Sequence, residues 1–201
     1  MATALLAGCS GGTQAETASA EPTQAASTIP AVPSASMPAA QEYLTSNCAL
    51  PSAPTPSAEP PADGQSLGAV TVTYDEQAVP QVTVGPEAAP VAELQTLDLA
   101  TGDGPEVKEG DVITFNYCGV GMMTRQIFDS SWARNEPLTY GLDELIPGWS
   151  VGLPGMKVGG QRLLVIPGDL GYGPEPNPAS GILPDETLIF VVELVAVGEG
   201  S

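Results

Sequence analysis

Residues 144–173 read ELIPGWSVGLPGMKVGGQRLLVIPGDLGYG. Pro147 suits the first turn of a short helix running to about Leu153, and Pro154-Gly155 suits its stop. Gln161–Ile166 is an apolar run with strand character, ended by Pro167. Gly171-Tyr172-Gly173 then places a tyrosine on a glycine turn. The stretch contains no histidine, no nucleophile beside a base and no cluster of metal ligands. Whatever it meets, it meets with an apolar, aromatic surface.

Outward from this stretch the second half of the chain is rich in strands. Glu93–Leu99 reads as a strand, followed by a turn at Gly102-Asp103-Gly104-Pro105. In Val112–Tyr117, the residues Ile113, Phe115 and Tyr117 share one face at strand period. Arg125–Phe128 and Leu138–Tyr140 are short strands, and Leu188–Val197 is the longest and most apolar. Many strands and one short helix predict an α+β fold, an antiparallel sheet over a helix.

Charge separates the two halves. The 201 residues carry 24 acidic and 5 basic side chains, a net charge of −19. All five cations (Lys108, Arg125, Arg134, Lys157, Arg162) lie beyond residue 100. So few cations cannot make a phosphate-binding footprint, which argues against nucleic acid as a partner. No run of eighteen apolar residues is present to span a membrane.

Residues 10–66 are dominated by Ala, Ser, Thr, Pro and Glu and are expected to form a disordered linker. Residues 67–89, with the runs AVTVTY and QVTV, are expected to form a small β extension ahead of a catalytic domain at 90–201. Three cysteines are present: Cys9, Cys48 and Cys118. Cys48 and Cys118 are equally compatible with a disulfide and with two thiols, Cys118 then being a small buried hydrophobe.

Five blocks, in order, resemble the FKBP-type peptidyl-prolyl isomerases: ITFNYCG around Tyr117, IFDSSWARNEP across Phe128 and Asp129, LIPGW ending at Trp149, GMKVGGQRLLVIPGDLGYG reaching Tyr172, and GILPDETLIFVVEL with Ile182 and Phe190. They cover about residues 101–198. Taken singly, Trp149 reads as a core tryptophan, Asp129 as a turn or cap residue and Arg134 as one half of a surface pair. The ordered set is what carries the resemblance.

The resemblance implies an FKBP-like sheet of antiparallel strands curled around one short helix. It implies Trp149 as the pocket floor, with Tyr117, Phe128, Leu138, Leu145, Ile146 and Phe190 as walls. Tyr172 would donate to a substrate carbonyl, Ile182 would sit on the rim loop, and Asp129 would lie near Arg134 and a tyrosine hydroxyl. Neither cofactor nor metal is expected. The expected partners are proline-containing polypeptides and macrolide inhibitors, and the expected state is a monomer. A non-catalytic peptide-binding module on the same fold is the alternative; a two-lobed solute-binding protein would need far more helix.

Leu6-Ala7-Gly8-Cys9 resembles a bacterial lipobox, although no Lys or Arg precedes Cys9. Residues 1–9 are therefore expected to be a truncated lipoprotein signal with Cys9 lipidated, placing the protein outside the cytoplasmic membrane on a lipid anchor; the alternative is an alanine-rich disordered start. Departures from the family surround the pocket mouth. Leu138 stands where an aromatic is common, and residues 173–180 are longer and richer in proline. Pro184–Thr187 is one residue shorter, and Asp185 and Glu186 are expected to add negative charge that disfavours acidic peptides.

Overall fold

The computed structural model describes residues 42–50, 53–57, 59, 61–176 and 178–198. Cys9 and the linker up to residue 41 lie outside the described residues. Two antiparallel sheets make up the fold. The first contains β1 (Tyr43–Asn47), β2 (Thr55–Ser57), β3 (Gln65–Leu67), β4 (Val70–Tyr74) and β5 (Pro80–Val84), in the order β2-β1-β5-β4-β3. The second contains β6 (Gln95–Ala100), β7 (Val112–Gly121), β8 (Ile127–Ser130), β10 (Gln161–Ile166) and β11 (Leu188–Gly198), in the order β6-β10-β11-β7-β8. β9 (Leu138–Gly141) pairs with the first half of β7, where Val112–Phe115 face Gly141–Leu138. The helices are α1 (Ser131–Arg134) and α2 (Pro147–Gly152).

Three strands thus occupy the stretch expected as linker. The expectation fails because composition judges a segment alone, whereas β1 pairs with β5 some forty residues later. That pairing turns Leu44, Ser46 and Cys48 into the interior. Pro80 is the first residue of β5, a position where proline is tolerated. A second short helix, α1, is also present, although only one helix, at Pro147 to about Leu153, was expected. Ser130 caps it: its side-chain oxygen accepts from the Ala133 N–H, and Asn135 closes it in the left-handed region.

The two sheets pack face to face. Val70, Val72, Val82 and Val84 of the first meet Val120, Leu163, Val165, Ile189 and Val191 of the second. The opposite face of the second sheet carries Ile113, Phe115, Tyr117, Leu164, Ile166, Phe190 and Val192, packed under Trp149 and Leu153. A sheet covered on both faces explains why Leu163–Ile166 and Leu188–Val192 are continuous apolar runs, each residue buried. Cys48 and Cys118 are bonded across the sheet–sheet interface, with Cα atoms 5.7 Å apart.

Candidate functional site

α2 delivers the central tryptophan. Pro147 occupies its first turn, and Gly148 lies so close to Ile166 of β10 that a β-carbon there would strike that side chain. Arg162 of β10 donates through Nη1 to the carbonyls of Gly152 (2.8 Å) and Pro154 (3.3 Å), satisfying the end of the helix. Ser150 Oγ donates to Leu142 O at 2.7 Å on the other side. Trp149 is thereby fixed against Phe115, Tyr117 and Phe190, with ring centroids 4.8, 5.9 and 5.2 Å away, all edge to face. Its indole N–H is buried without a hydrogen-bond acceptor among the described residues. An unsatisfied buried donor costs about 1–3 kcal/mol.

Above Trp149 lies a cavity of about 180 Å³ lined by Phe115, Tyr117, Leu138, Tyr140, Leu145, Ile146, Trp149, Tyr172 and Phe190. Seven of these were expected from the sequence; Phe115 and Tyr140 were not. Each lies two residues from a named partner on its own strand, Phe115 before Tyr117 and Tyr140 after Leu138, so strand period was the available signal. Tyr172 is 48% exposed and Tyr140 46%, which puts both at the open side.

The remaining candidates stand around the cavity rather than in its lining. Phe128 packs edge-on against Phe190 at 5.5 Å. Gly119 permits this, because a β-carbon there would overlap both rings. Ile182 is buried in the core beneath the rim. Asp129 accepts from the Tyr117 hydroxyl and from Arg134 Nη1, and Arg134 Nη2 donates to the Tyr117 oxygen at 3.2 Å. The Arg134 guanidinium carbon lies 5.9 Å from the Tyr117 ring centre. Burial first, and then the bond to Asp129, push the Tyr117 phenol up to about 12, with Arg134 opposing. Burial and the Asp129 charge also raise Tyr172.

The expected charge at the mouth needs correction. Asp185 is exposed, but Glu186 is 3% exposed and turned inward. One oxygen accepts from Met123 N (3.1 Å), Thr124 N (2.8 Å) and Thr124 Oγ1 (3.0 Å); the other accepts from Leu183 N at 2.8 Å. Glu186 ties the rim loop to the β7–β8 turn, its four donors supplying the hydrogen bonds that burial takes from water. Among the described residues, no group of His, Cys, Asp and Glu is arranged to hold a metal ion, and no helix is long and apolar enough to cross a membrane.

An aromatic floor, an open apolar cavity and a tyrosine–aspartate–arginine cluster coincide with matches to known proteins. Residues 104–195 match the family described as FKBP-type peptidyl-prolyl cis-trans isomerase. The FK506-binding protein of Streptomyces anulatus is 45% identical over 114 residues, 56% of this chain and 92% of that protein. The chain belongs to the FKBP-type peptidyl-prolyl cis-trans isomerase family. The probable FK506-binding protein of Corynebacterium glutamicum is 40% identical over 119 residues, 58% of this chain and 97% of that protein. The crystal structure of FkpA from Escherichia coli aligns with a TM-score of 0.50 at 35% identity, covering 65% of this chain and 53% of that one. The FKBP-like fold and the enzyme class expected from the sequence therefore stand. The family match begins beyond β1–β5, so the first sheet is outside it.

Proposed function

We propose that this isomerase turns X–Pro bonds of exported polypeptides by non-covalent catalysis in the Trp149 cavity. The observation that carries this reading is the apolar, aromatic-floored cavity with the Tyr172 hydroxyl at its open side. Rotation about a prolyl bond faces a barrier of about 18–20 kcal/mol because amide resonance resists twisting. The planar amide is more polar than the twisted one, so water favours the ground state. A dry aromatic pocket removes that preference while orienting the prolyl ring over Trp149. Tyr172 donates to the carbonyl on the substrate side, and Tyr117, held by Asp129 and Arg134, keeps one wall fixed. A millionfold acceleration requires about 8 kcal/mol of such differential stabilisation. Neither a nucleophile nor a cofactor enters this scheme.

The same cavity is proposed to take FK506-type macrolides, as the names of the relatives suggest for those proteins. We place the protein outside the cytoplasmic membrane, a monomer anchored through lipid on Cys9. The lipobox-like Leu6–Cys9 supports this, as does the Cys48–Cys118 bridge, since disulfides persist in oxidising compartments.

The test is prolyl cis/trans exchange on a short peptide with the full chain and with Trp149→Ala. Acceleration by the wild type that collapses in the variant supports catalysis. A folded wild type that binds the peptide without accelerating exchange would leave only a binding module.

A further inference from the structure

The first sheet is outside the family match, yet the residue that directly follows its strand β1 is bonded to the back of the site. This residue, Cys48, is fully buried, and its sulfur is joined to Cys118. Its carbonyl accepts a buried 2.7 Å hydrogen bond from Ser130 Oγ, and its N–H donates to Pro80 O at 3.1 Å. Cys118 and Ser130 face each other directly in the β7–β8 ladder.

The neighbours of these two residues form the polar cluster. Tyr117 precedes Cys118 and points to the opposite face of β7, into the cavity. Asp129 precedes Ser130 and accepts from the Tyr117 hydroxyl. Ser130 also caps α1, whose last residue, Arg134, completes the cluster. A single residue at the end of the first sheet's β1 thus holds, through one covalent bond and one hydrogen bond, Cys118 and Ser130, the chain neighbours of Tyr117 and Asp129.

We propose that Cys48 is a positioning residue for the isomerase site, and that the first sheet is a working part of the enzyme that sets the Tyr117–Asp129–Arg134 geometry from behind. This rests on the reading of the cavity as the catalytic site. Sites of this kind are sensitive: a misplacement of about 1 Å can cost roughly a hundredfold in rate.

The experiment compares the full chain with Cys48→Ala/Cys118→Ala, which removes the covalent link, and with Ser130→Ala, which removes the hydrogen bond. Folding is checked by circular dichroism. The readouts are prolyl exchange kinetics and ultraviolet titration of the Tyr117 phenol, isolated by difference against Tyr117→Phe. The double variant is expected to lose at least about tenfold in kcat/KM, and Ser130→Ala several-fold, with the phenol titrating at lower pH in both as the bond to Asp129 loosens. Unchanged turnover, or lost turnover with an unmoved phenol, in a folded variant overturns the proposal. If the double variant does not fold, Ser130→Ala decides alone. A wild type without turnover removes the isomerase reading, and the phenol titration then still decides whether Cys48 positions the cluster.

Discussion

The two faces of the six-strand sheet are built for opposite purposes from the same strands. The face toward β1–β5 is aliphatic and closed: Val120, Leu163, Val165, Ile189 and Val191 meet valines of the first sheet, locked by the cystine. The face toward α2 is aromatic and open. Phe115, Tyr117 and Phe190 each meet Trp149 edge to face but leave a cavity, and the buried indole N–H has no acceptor among the described residues. Both faces bury a core, but only the aromatic one leaves room for a ligand.

The largest effect expected from this contrast is on the closed face. Val165→Asp would bury an uncompensated charge between the sheets at a cost of about 3–5 kcal/mol. Loss of the cooperative thermal transition is the expected outcome, while Val151→Asp on the exposed side of α2, 67% exposed, should leave the transition in place. Equal stability of the two variants would break the comparison. Next in size is Trp149→Ala on the open face. It is expected to lower kcat/KM about a hundredfold, equivalent to roughly 2.7 kcal/mol of transition-state stabilisation. The assay is peptide isomerisation at a temperature where circular dichroism shows the variant folded.

A smaller effect is expected at alkaline pH. The Tyr117 phenol titrates at about 12 in the folded chain, against 10 for a free phenol. The folded state holds this proton in a range where the unfolded chain releases it. Its contribution to stability is therefore complete below pH 10 and lost as the pH rises toward 12. Chemical denaturation at stepped pH should show that loss, and Asp129→Asn should narrow the window by removing the carboxylate's upward push. The smallest effect belongs to Tyr172→Phe. Losing one hydrogen bond of about 0.5–1.5 kcal/mol should slow turnover a few-fold, with no change in melting temperature, because the hydroxyl lies at an exposed rim.

Much of the site was legible in the chain because its residues fall in five ordered blocks that together resemble one family, although taken singly they read as core, turn and surface residues. Trp149 follows a helix-starting proline, Tyr172 lies between glycines, and Asp129 precedes the Ser130 cap. Tyr140 and Phe115 were read as strand residues but not named for the pocket, although strand period placed Phe115 on the face of Tyr117 and Tyr140 on that of Leu138. Glu186 was misplaced because sequence shows its charge but not the four donors that draw it inward. The extent of the first sheet was the larger omission: β4 and β5 lie within the extension expected at 67–89, but β1 and β2 lie in the stretch expected as linker. Its signal was present in the unbroken apolar runs Leu163–Ile166 and Leu188–Val192, since a sheet with one wet face would alternate.

The sequence alone determined what depends on neighbours along the chain: strand period, the start and stop of α2, the glycine turns, the absence of histidine, and an ordered set of residues suited to an apolar pocket. Tertiary structure alone decided what depends on partners far apart. Those are the pairing of Tyr43–Asn47 with Pro80–Val84, the choice between thiols and a Cys48–Cys118 bridge, and the inward turn of Glu186. In each case a short polar or ambiguous segment acquires its structure from contacts tens of residues away, whose energy no local composition records.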